Sequence, residues 1–154
     1  MTELEVSKLE IAREYLDAAI EFFLARKNLF CAIHLAAAAE ELFGAHLLKS
    51  DEESDERIFT LAWKAQKALI SETRPTPIDD KEADKEARNS VNKWKNEIKH
   101  MDEGACRTVT IDPAFMAEHY IEQALVNFYK LGLPKSAMIW RFEDHQNRKV
   151  HVGA

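Results

Sequence analysis

Glycine and proline are scarce, four of each in 154 residues, too few for a loop-rich β protein with turns at close intervals. Cysteine is scarcer still. Cys31 and Cys106 form neither a CxxC pair nor a zinc-ligand spacing, and Cys31, set in an apolar run, is expected to be a small core residue. No apolar run approaches the ~18 residues needed to span a membrane. Gly-rich phosphate loops, GxSxG, HExxH and EF-hand patterns are all missing. Positive charge is in deficit: the formal net charge of −6 argues against tight, indiscriminate binding to nucleic acid or an anionic membrane, while leaving room for a local basic patch. The segment Met1–Glu10 is acidic and mixed, unlike a signal or transit peptide, so a reducing cytoplasm is the expected location.

What remains is a soluble-protein composition, 46% hydrophobic and 31% charged, which separates the chain from the disordered class. The length is that of one ordinary domain with a real core. Long segments near the 3.6-residue period predict an all-α bundle of four main helices, a fifth helix and a short C-terminal helical segment. Residues 1–145 are expected to form one domain, and 146–154 a frayed tail.

Helix one is predicted over Glu3–Ala25, with Leu4, Leu9, Ala12, Leu16, Ala19 and Phe23 inward. Asn28 can cap helix two, Leu29–Leu48, which is apolar nearly all round and so reads as a central helix covered on several sides. After an acidic linker, Ser54 or Asp55 caps a third helix to Ile70, its stripe including Ile58, Leu61, Ala62, Ala65 and Leu69. Thr73-Arg74-Pro75-Thr76-Pro77 breaks it. Asp79 or Asp80 opens helix four, which runs to Met101 with a 4-3-4-3 seam of Ala87, Val91, Trp94, Ile98 and Met101. Gly104 stops it, and Arg107–Ile111 reads as extended chain. Asp112-Pro113 is a strong start for helix five, Ala114–Leu131, with Phe115, Tyr120, Ala124, Leu125 and Phe128 inward. Ser136–Asp144 forms the short last helix, carrying Ile139, Trp140 and Phe142.

Helix four holds the most unusual pattern. Asn89, Asn92, Asn96 and His100 fall within about 80° of one another on a helical wheel, almost opposite the apolar seam. Asn is a poor helix former, and surface helices ordinarily use Glu, Lys, Gln and Ala on such a face. Arg88, Lys95 and Lys99 lie on a flank beside Asn92, so the half from Ala87 to His100 carries four basic residues against one acidic. Two readings are open: a solvated helix face, or a ligand or partner surface offering amides, cations and one imidazole, a set that suits phosphate-bearing ligands. Helix two adds His34 and Glu41, seven residues apart and on one face, with Glu40 pointing elsewhere. Either both reach the rim and are satisfied there, or one of them joins helix four in a site. Glu97-Ile98-Lys99-His100 matches the ExxH spacing of di-iron bundles, but there is no second ExxH, so no metal and no cofactor are expected. His46, His119, His145 and His151 show no ligand spacing.

The segment Ala32-Ile33-His34-Leu35-Ala36-Ala37-Ala38-Ala39-Glu40-Glu41, followed two helices later by Lys95-Asn96-Glu97-Ile98-Lys99-His100, resembles bacterial HEPN-like helical proteins in helix order from Leu4 to Leu131. Members of that superfamily often carry Arg, a polar residue, a few further residues and then His late in a bundle helix. The resemblance implies an up-and-down helical bundle, often a homodimer, with the motif helices near the two-fold axis. In active members it also implies metal-independent RNA cleavage, with the imidazole as acid or base and the arginine steadying phosphate charge. On residue matching His100 is the imidazole, Asn96 the polar position and Lys95 the arginine position of a degenerate R-x4-H motif. Lysine supplies the charge without the planar bidentate fork. Arg88 cannot take its place within one chain, being about 18 Å from His100 along the helix axis.

Two functions follow as expectations. One is a HEPN-like protein that binds RNA or a nucleotide, with ribonuclease activity from a degenerate site as its extreme form. The other is a catalytically silent dimeric interaction module, one half of a toxin–antitoxin or defence pair. In both, a homodimer shares a surface that uses helix four.

Overall fold

Three of the helices begin where a side chain satisfies free amides of the first turn. At Ser7 the hydroxyl accepts from the Leu9 amide at 3.2 Å, and the Glu10 carboxylate accepts from the Ser7 amide at 3.2 Å. This reciprocal capping box starts α1 (Lys8–Leu24) five residues later than periodicity alone predicts. Asp112 Oδ1 accepts from the Ala114 and Phe115 amides at 2.9 and 3.1 Å, with Pro113 in the first turn, as the sequence foretold. The Ser136 hydroxyl accepts from the Ile139 amide and donates to Asp17 at 2.5 Å, which opens the last helix and ties it to the first.

The computed structural model describes residues 4–50, 61–73, 79–99 and 108–152, and these form six α-helices with no strand among them. After α1 come α2 (Leu29–Ser50), α3 (Leu61–Thr73), α4 (Asp80–Lys99), α5 (Pro113–Lys130) and α6 (Ala137–Val152). None of the described helices is long and apolar enough to cross a membrane. The helices gather into two compact units, one of residues Met1–Glu53 with Asp112–Ala154, the other of Ser54–Ile111.

In the first unit α2 packs against α1 and α5, and α1 also meets α5 and α6. Four phenylalanines, Phe23, Phe43, Phe128 and Phe142, are fully buried. They pair edge-on, Phe23 with Phe142 and Phe43 with Phe128, each at 5.7 Å between ring centres. Each ring removed from water contributes about 1.5–3 kcal/mol. Ala32, Ala36, Ala37 and Ala39 of α2 are buried against their neighbours, where the missing bulk lets backbones approach closely. Between α1 and α2 the chain turns through left-handed residues Arg26 and Asn28, and the Asn28 carbonyl accepts from the Ala32 amide at 3.0 Å. After α5 the same left-handed conformation falls on Gly132, which adopts it without strain. The second unit joins α3 to α4, with Lys67 paired to Asp84 at 2.6 Å and Ala83 and Ala87 buried.

Several expectations about inward faces are overturned. Leu4 is 83% exposed because it precedes the capping box and belongs to no helix. Phe115, expected inward, is 63% exposed: it lies nine residues before Ala124 and so about 180° from it on α5. Trp140 is exposed beside the buried Ile139 and Phe142. Leu69 is exposed because it sits about 200° from Lys67, the residue that reaches α4. Cys31, expected in the core, is exposed. It lies on a side of α2 that α1 and α5 leave uncovered, so α2 is not enclosed all round.

The C-terminal segment also differs: α6 continues through Val152. Gln146 donates to Glu118 and Glu122 of α5 at 2.8 and 2.9 Å, and Lys149 pairs with Glu118 at 2.5 Å. These polar residues are cross-links to α5, which a reading of polarity as fraying missed.

Candidate functional site

The buried Ala83 and Ala87, four residues apart, define the inner side of α4. Asn89 and Asn96 are exposed, and each lies about 180–200° from Ala87. They are seven residues apart on one face, about 10 Å along the axis. Lys93 is exposed as well. The part of the asparagine ladder that is described therefore faces away from the seam. The helix is continuous from Asp80 to Lys99, so it carries Lys95 and Asn96 as helical residues. The side chains of Arg88, Asn92, Lys95 and Lys99 lie outside those described, and so does the whole of His100.

Charge along α4 is graded. Asp80 to Glu86 holds four acidic residues against Lys81 and Lys85, and Ala87 to Lys99 holds Arg88, Lys93, Lys95 and Lys99 against Glu97. The helix dipole favours this order, which stabilises the helix and concentrates cations at the motif end. An exposed face with two carboxamides and the Lys93 ammonium can donate to phosphate and both donate to and accept from base edges.

On α2, His34 is half-buried and Glu41 exposed, both on the side away from α1 and α5. The polar contact that enters the core is a different one. Asn127 of α5 is fully buried and its Nδ2 donates to the Glu40 carbonyl at 3.3 Å and to Glu40 Oε1 at 3.2 Å. Gly44, one turn further along α2, makes room for it: a Cβ there would stand 3.3 Å from that nitrogen. The sequence reading missed Asn127, although its position seven residues after Tyr120 and three after Ala124 places it on the inward stripe of α5. This contact sets register between two packed helices and is structural.

Further titratable groups are accounted for by packing. Tyr129 donates to Glu143 at 2.6 Å, and Lys135 pairs with the same carboxylate at 2.5 Å while lying over the Trp140 ring at 4.4 Å. Burial, reinforced by the Glu143 charge, raises the Tyr129 phenol above its ordinary range, so it is no acid or base near neutrality. For Glu143, burial works to raise the carboxyl, but the bonds from Lys135 and Tyr129 outweigh it and hold it low. His145 meets the Phe23 ring edge-on at 5.6 Å, with its Nε2 buried and without a hydrogen-bond partner. Burial first, then Lys149, depress its pKa. His119 stacks on Phe115 and bonds Gln123 at 2.9 Å.

Among the described residues no three His, Cys, Asp or Glu side chains are grouped to hold a metal ion. No family model, curated protein or solved structure matches the chain.

Proposed function

We propose that the chain is a HEPN-like helical protein that binds RNA or a nucleotide through the outward polar face of α4 and acts as a homodimer. The observation that carries this reading is the exposure of Asn89 and Asn96, one above the other, on the side of α4 opposite Ala83 and Ala87. Carboxamides placed so are poor choices for helix stability and good ones for unstacked base edges. In this reading Lys95 and Lys99 contact phosphate, Asn96 positions the ligand, and His100 serves as acid or base. A lysine at the arginine position neutralises charge without gripping two oxygens, so binding is favoured over fast cleavage. Because the protein is acidic as a whole, binding should be weak and steeply salt-dependent.

The test is binding and cleavage of a labelled single-stranded RNA in low salt. The wild type should bind, Lys95→Ala should weaken binding and flatten its salt dependence, and His100→Ala should abolish any cleavage while binding persists. A wild type that neither binds nor cleaves sinks the reading. Lysine in place of arginine favours a second reading, a catalytically silent module that docks a protein, as in a toxin–antitoxin or defence pair. There Asn92→Ala with Asn96→Ala removes the protein partner from a protein that never bound RNA.

A further inference from the structure

Helix α6 is fastened by different means in its two halves. In the first, Ile139 and Phe142 are buried, the Ser136 hydroxyl donates to Asp17 at 2.5 Å, and Glu143 accepts from Tyr129 and Lys135. After Phe142 no described side chain of the helix is buried. There Gln146 and Lys149 bond Glu118 and Glu122 of α5, and the half-buried His145 ring packs edge-on against Phe23 of α1 at 5.6 Å. Polar bonds open to solvent contribute little, so the imidazole on Phe23 is the main anchor of this half.

That anchor does not suit a second proton. Its Nε2 is enclosed and has no hydrogen-bond partner, whereas an imidazolium carries a donor on both nitrogens. Cations surround it. The Arg26 guanidinium, from the turn after α1, lies over the same Phe23 ring at 4.9 Å from its centre, and Arg148 and Lys149 follow within about one turn of α6. The carboxylates at hand are engaged: Glu118 with Lys149 and Gln146, Glu122 with Gln146, and Asp144 with Arg148. We propose that His145 is a pH-operated latch: on protonation it leaves Phe23, and α6 beyond Phe142 comes away from α1 and α5 while its first half stays docked.

Linkage gives the direction. Burial first, then Lys149, with Arg26 and Arg148 adding and Glu118 opposing, hold the imidazole below its ordinary value in the closed form. In the released segment the ring meets water and takes up the proton more readily. The latch is therefore shut above the ordinary imidazole value and opens as pH falls from there, the open-to-closed ratio rising by up to about tenfold per pH unit for one proton. Release also parts Gln146 and Lys149 from Glu118 and Glu122, which bares two carboxylates of α5. The device belongs to the first unit and does not depend on the ligand proposed for α4.

The test is NMR of the full chain between about pH 7.5 and about pH 5, a window that spans the imidazole titration. Nuclear Overhauser contacts from Gln146 to Glu118 report the latch, and those between Phe23 and Phe142 serve as the internal control. In the wild type the first set should fade as pH falls while the second persists. His145→Phe, which packs on Phe23 without a titratable group, should keep both sets at every pH. His145→Lys, a permanent cation, should lose the first set already at about pH 7.5 and keep the second. A wild type that keeps its Gln146–Glu118 contacts throughout overturns the proposal. So does a His145→Phe protein that loses them as the wild type does, because the proton then acts elsewhere. Loss of both sets together also overturns it, since α6 would then come away whole.

Discussion

The unit built from α1, α2, α5 and α6 buries four phenylalanines together with Leu16, Ile20, Ile33, Ile121 and Ile139, whereas the described side chains buried in the α3–α4 unit are Ala83 and Ala87. Its caps are side-chain oxygens bonded to amides, and its one fully buried carboxamide, Asn127, is anchored to Glu40 on a neighbouring helix. The α4 helix instead presents Asn89, Lys93 and Asn96 outward. The difference teaches that polar residues mean opposite things in the two places. In the first unit Asn127 completes the packing, and on α4 Asn89 and Asn96 detract from helix stability and face out.

The largest test of that contrast is Phe128→Ala. It empties a fully buried site and removes the edge-on contact with Phe43, so it should cost about 3–5 kcal/mol in chemical denaturation. A loss under about 1 kcal/mol would mean that the aromatic core does not hold this unit together.

A smaller effect is expected at His145. Its folded pKa is depressed below 6.5, by burial before anything else, then by Lys149, with Arg26 and Arg148 adding to this and Glu118 opposing. The unfolded chain therefore takes up the proton first. Stability is full above the ordinary imidazole value and declines as pH falls from there through the lowered one. Melts at about pH 7 and about pH 5 should show this decline in the wild type and less of it in His145→Gln. Equal declines in the two proteins would place the pH sensitivity elsewhere.

The smallest change is expected on α4. Asn89→Ala and Asn96→Ala remove exposed carboxamides from a helix interior, so each should leave stability within about 0.5 kcal/mol or raise it slightly. A loss greater than about 1 kcal/mol would make these residues structural and erase the contrast between the units.

Helix existence, order and type were legible in the chain, because a 3.6-residue period and the Asp112-Pro113 start are local properties. The Ser7-Lys8-Leu9-Glu10 box was equally local and could have corrected the start of α1. The outward placement of Asn89 and Asn96 was legible too, since a wheel relates residues of one helix without reference to any other.

What the sequence could not determine is which apolar face each helix spends on a neighbour. α2 is apolar almost all round, so its composition could not say that Cys31 stays exposed while Ala36 and Phe43 are buried; that was decided by where α1 and α5 lie. For the same reason Gln146 and Lys149 read as a frayed tail until the carboxylates of Glu118 and Glu122 stood opposite them. Burial and hydrogen-bond partnership are properties of pairs of elements, and only tertiary structure pairs them.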